Sequence, residues 1–157
     1  MADEAEQNKL GAEFTSEIYL AAAAERAGVL QKLYDEGEYA VALYLAGVAV
    51  ESLFRAYRAK IDPMFSARHN LYALANEARF ADCVPQRLAE KYAADLGAVA
   101  TRWSNSHRYR SEDATRKYLN RAGLFKGIKG DVLKENARKA INAATGIVTL
   151  GARRWTN

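Results

Sequence analysis

Between Glu13 and Tyr34 the apolar residues Phe14, Ile18, Ala22, Val29, Leu30 and Leu33 recur at intervals near three and four, with Arg26 on the same line. The spacing predicts a helix with one apolar stripe, capped by Thr15 or Ser16 if it starts late. In the DEGE that follows, Gly37 supplies the left-handed residue that ends a helix, so a tight hairpin is expected. Tyr39 to Lys60 is apolar nearly all round over its first three turns, which predicts a central helix covered from several sides. Pro63 disfavours helix at Asp62, and a connector from Met64 leads to a short helix over Leu71 to Arg79 with Asn70 as its cap. Pro85 suits the first turn of a third long helix, whose Leu88, Tyr92, Leu96, Val99 and Trp103 face the core. From Ser104 to Gly130 the periodicity stops, predicting a long loop with one helical turn near Ala114 to Asn120. Asp131 then caps a fourth long helix with Leu133, Ala137, Ile141, Ala144, Val148 and Trp155 on one side. The fold class expected is all-α: an up-and-down four-helix bundle with a short extra helix and a long basic loop before the last helix. The 157 residues suit one domain, with residues 1–12 as a mobile tail.

Composition agrees with helices, since alanine makes up about a fifth of the chain and proline occurs twice. One cysteine, Cys83, and two histidines, His69 and His107, cannot build a disulfide scaffold or a thiolate zinc site, so no metal and no cofactor are expected. The longest uncharged apolar run, Tyr39 to Val50, falls short of the roughly 20 residues that cross a bilayer. With an acidic, polar beginning that lacks a signal segment, a cytoplasmic protein with no membrane partner is expected. The formal charge of +4 hides a division. Residues 1–40 hold nine acids against three bases, whereas residues 101–130 hold eight bases against two acids. Such a basic cluster favours a polyanion such as RNA. The same cluster also reads as a solvated face, or as a loop that neutralises the acidic first helix.

Candidate chemistry concentrates in RWSNSHRYR, residues 102–110. On a continuous helix Arg102 and His107 would point about 140° apart. Ser104, Asn105 and Ser106 favour caps and turns, so a break there lets the two converge. An imidazole can take a proton from a ribose 2′-hydroxyl or give one to a leaving 5′-oxygen, while a guanidinium clamps the phosphate. The plainer reading of His107 is a satisfied surface or capping histidine. Glu51, in an apolar helix, needs a partner, and Arg55 one turn later can supply it; the other reading gives the pair a supporting role near a cleft. His69 reads as a capping or packing residue, with a catalytic role as the other reading, and Cys83 as an inert thiol. Tyr109 and Tyr118 lie in the basic segment, where they could stack on bases.

YAVALYLAGVAVESLFRAYRAK, followed by a connector and HNLYALANEARF, resembles the second helix and following segment of the HEPN superfamily, with Glu51 and Arg55 at the family's acidic position and the basic one four later. Residues 102–109 are similar to the signature of HEPN ribonucleases: an arginine, four to six residues, a histidine, any residue, a tyrosine. Here these are Arg102, His107 and Tyr109. The position after the arginine, commonly polar in the family, is Trp103. The likeness spans about residues 13–155. It implies a metal-independent endoribonuclease of the toxin or defence type, acting at a homodimer cleft where two copies of the motif meet. His107 would be general acid or base and Arg102 the phosphate clamp, assisted by Asn105, Arg108, Tyr109 and Arg110. It also implies a partner, a minimal nucleotidyltransferase antitoxin that adds AMP to Tyr109. The alternatives are a non-catalytic HEPN module that binds a nucleotide or such a partner through the same loop, and a helical adaptor with no salt-dependent RNA binding.

Overall fold

The structure, a computed structural model, describes residues 14–66 and 69–155, so the expected tail lies outside the described residues. The described residues are all-helical, with six α-helices and no strand. The first, α1 (Ser16–Asp35), does start late, with the Thr15 hydroxyl accepting from the Ile18 N–H at 3.3 Å. Its buried face carries Ala23 and Leu30, while Phe14, Ile18 and Val29 of the expected stripe are more than 40% exposed. The alanines at 21–24 make every side of α1 partly apolar, and its packing partner selects the side. Gly37, at φ +80°, turns the chain as expected.

The second helix, α2 (Tyr39–Ile61), is the core of the molecule, with Leu43, Val50, Leu53 and Phe54 fully buried. By length and composition alone α2 could also cross a membrane; here more than half of it is buried among the other helices. It packs along α1 and against α6 (Val132–Arg154), which also packs on α4 (Ala89–Arg102). Asp131 caps α6 through the N–H groups of Leu133 and Lys134, and Asn70 caps α3 (Leu71–Glu77) through Ala73.

Two expectations are corrected. Pro85 does not open the third long helix: residues Phe80–Cys83 and Gln86–Leu88 form 3-10 turns, and α4 begins at Ala89. The extra chain is used to seat Phe80, fully buried among the rings of Phe54, Tyr57 and Tyr92. Nor is Ser104–Gly130 mainly loop. It holds a 3-10 turn (Asn105–Tyr109) and a ten-residue helix, α5 (Glu112–Arg121). Ser111 caps α5 by accepting from the Ala114 N–H, acids fill its first turn, and Glu112–Arg116 and Asp113–Lys117 pair one turn apart. Its buried face is Thr115 and Leu119 alone, too narrow a stripe to register as periodicity.

Candidate functional site

The break after α4 is fixed by Trp103. Its backbone is extended, its indole lies against Gly47 of α2, and its Nε1 donates to the Tyr44 carbonyl at 3.0 Å. The Ser104 hydroxyl then accepts from the Ser106 N–H and starts the 3-10 turn that carries His107 back toward Arg102. The imidazole meets the main chain of Arg102: Nε2 donates to its carbonyl at 2.8 Å. On the other side of the ring, Arg110 Nη1 donates to Nδ1 at 3.1 Å, which requires the neutral Nε2–H tautomer. His107 is 4% exposed and sits on the edge of the Tyr118 ring. Burial pushes its pKa below the ordinary imidazole value; the bond to the Arg102 carbonyl opposes that, and the Arg110 charge adds to it.

The Arg102 guanidinium turns away from the imidazole. Nε donates to Asn136 Oδ1 at 2.9 Å and Nη1 to the Ala98 carbonyl at 3.0 Å. Asn136 is fully buried in α6 and donates to the carbonyls of Leu124 and Val132, so Arg102 ties α4 to α6 and to the chain entering it. Arg108 and Tyr109 point outward, the guanidinium over the phenol ring and Tyr109 79% exposed. Arg110 also lies over the Tyr118 ring. Of the eight bases in 101–130, Arg116 and Lys117 pair with acids; among the described residues the other six make no ion pair.

Glu51 and Arg55 do pair: Glu51 Oε1 accepts from Arg55 Nε at 3.0 Å and Nη2 at 2.8 Å. The same oxygen lies 2.6 Å from His69 Nδ1. His69 is therefore neither the cap of α3, which is Asn70, nor a core residue. A cleft of about 440 Å³ opens between the start of α3 and the turn after α4, lined by His69, Asn70, Tyr72, Ser104, Asn105 and Tyr118. Thus Asn105 reaches the cleft directly, and Glu51 and Arg55 stand behind His69. Among the described residues no three His, Cys, Asp or Glu side chains gather to hold a metal ion.

Two residues carry more of this geometry than their sequence signal suggests. Asn136 was detectable as a polar residue beside the apolar stripe of the last helix. The link from His69 to Glu51 spans 18 residues and a connector, and no periodic pattern reports it. No protein-family model, curated protein or solved structure matches this chain.

Proposed function

We propose that this chain is a HEPN-type endoribonuclease that cleaves RNA without a metal at the cleft between α3 and the Ser104–Asn105 turn. The observation that carries the reading is convergence. The two stretches that resemble the family are far apart in sequence, yet both reach one cleft, through His69 and Asn70 on one side and Trp103, Ser104 and Asn105 on the other, with the Glu51–Arg55 pair behind His69. In this reading α1, α2, α4 and α6 form an up-and-down four-helix bundle, with α3 and α5 as additions. Arg108 and the unpaired bases of α5 and the following loop attract phosphates, and the exposed Tyr109 ring offers a stacking face. Arg102 and His107 hold the break that shapes the cleft. Two copies would bring two such clefts together in a homodimer, and the exposed Tyr109 hydroxyl would accept AMP from a nucleotidyltransferase partner in the cytoplasm.

A second reading, a non-catalytic HEPN module that binds RNA or a nucleotide at the same place, is favoured by one observation: both ring nitrogens of His107 are engaged inside the fold. Incubation of the purified chain with RNA and chelator separates the two. New ends bearing 2′,3′-cyclic phosphate support the nuclease. Intact RNA, bound with an affinity that falls as salt rises, supports the module. Absence of both cleavage and binding overturns both readings.

A further inference from the structure

We propose that His69 is the proton-transferring residue of this cleft, with Glu51 as its positioning residue; the inference rests on the nuclease reading above and names the group that performs it. The chain has two histidines. His107 is 4% exposed, donates through Nε2 and accepts through Nδ1, so neither nitrogen is open to a substrate. His69 is arranged in the opposite way. Its side chain is about half exposed, lines the cleft, and is held at one nitrogen only, by a carboxylate. Among the described residues Nε2 of His69 has no hydrogen-bond partner.

The carboxylate side of the pair is built to hold a direction. Glu51 is 7% exposed on the central helix, where an unpaired charge would be costly, and two N–H groups of Arg55 already neutralise it. The further contact to His69 at 2.6 Å therefore adds orientation. A carboxylate only accepts, so Nδ1 carries the proton, and in the neutral ring, which lines the cleft, Nε2 is the free acceptor. A base oriented by a buried carboxylate, with its second nitrogen free, is the arrangement general acid–base catalysis requires. Among the described residues, the charged and titratable groups around it are Glu51 and Arg55 from α2, Tyr72 from α3 and Tyr118 from α5. Asn70, Ser104 and Asn105 add neutral polar groups able to hold a phosphate or a base edge.

The step balances without another reagent. Nε2 of His69 takes the proton of a ribose 2′-hydroxyl, and the 2′-oxygen forms a bond to the adjacent phosphorus. The bond from phosphorus to the 5′-oxygen breaks, its electron pair stays on that oxygen, and the imidazolium returns the proton to it. The products are a 2′,3′-cyclic phosphate and a 5′-hydroxyl. Glu51 stabilises the imidazolium between the two transfers.

The test compares wild type with His69→Ala, His107→Gln and Glu51→Gln on one RNA in chelator, following cleavage and RNA affinity separately, with circular dichroism as the check on folding. We expect His69→Ala to lose about 100-fold or more in cleavage rate with RNA affinity within twofold, and imidazole added to the buffer to restore part of the rate. Glu51→Gln, which keeps an acceptor for Nδ1–H but not the charge, is expected to lower kcat about tenfold and leave KM unchanged. Cleavage that survives His69→Ala and disappears in His107→Gln overturns this inference and leaves the nuclease reading standing. Loss of affinity and rate together, without rescue by imidazole, also overturns it, since His69 would then be binding RNA and not moving a proton. Wild-type protein that leaves RNA intact overturns both.

Discussion

His107 shows how a single side chain changes meaning with its surroundings. As a neutral imidazole between the Arg102 carbonyl and Arg110, it is stabilised in its uncharged form, and burial depresses its pKa from the ordinary 6.5. As pH falls through that value the unfolded chain takes up a proton that the folded chain refuses, so His107 makes stability decline toward acid. We expect the difference in urea unfolding free energy between pH 7.5 and pH 5.5 to be larger for wild type than for His107→Gln; equal slopes would mean that the imidazole titrates freely in the fold. Gly47 is the second residue on which the site depends. A Cβ there would lie 2.0 Å from Trp103 Cδ1, and the indole cannot retreat without losing its bond to the Tyr44 carbonyl. Gly47→Ala should cost about 3 kcal/mol, read as a lower urea midpoint, and should disturb the turn that lines the cleft.

At the level of the helix, strength of pattern governs what can be read. The third and fourth long helices carry wide apolar stripes, and most of those residues are buried: Tyr92, Leu96, Val99 and Trp103 in one stretch, Leu133, Ala137, Ile141, Ala144 and Val148 in the other. In α1 the stripe is legible as a helix but not as a direction, because four consecutive alanines fit any face. In α5 two buried residues, Thr115 and Leu119, are too few to announce a helix, and its local signals are the cap and the charge pairs. Ser111→Ala therefore tests how much the cap supports a helix with little core. The expected loss is about 1 kcal/mol, seen as faster amide hydrogen exchange across residues 112–121 with the rest of the molecule unchanged. Uniform destabilisation instead would mean that α5 unfolds only together with the core.

Across the whole molecule the charge is divided, with an excess of acids in residues 1–40 and of bases in residues 101–130. Six of those bases make no ion pair among the described residues; Arg102 and Arg110 are engaged inside the fold, which leaves Arg108, Arg121, Lys126 and Lys129 able to meet phosphates. RNA affinity should fall steeply as salt rises, and Arg108→Glu should flatten the dependence of log affinity on log salt by about 0.7 for each phosphate the side chain no longer neutralises. A salt-independent affinity would remove the basic segment from the reading. Helix content, the capping roles of Asn70 and Asp131 and the tendency of Ser104–Ser106 to turn were all present in the order of residues, because each depends on interactions within a turn or two of chain; the break itself falls one residue earlier, where Trp103 packs on the central helix. Which face of α1 is covered, that Arg102 grips Asn136, that His107 is enclosed and that His69 leans on Glu51 depend on how segments distant along the chain come together. Those arrangements form when several helices compete for the same buried volume, and no local pattern encodes the outcome.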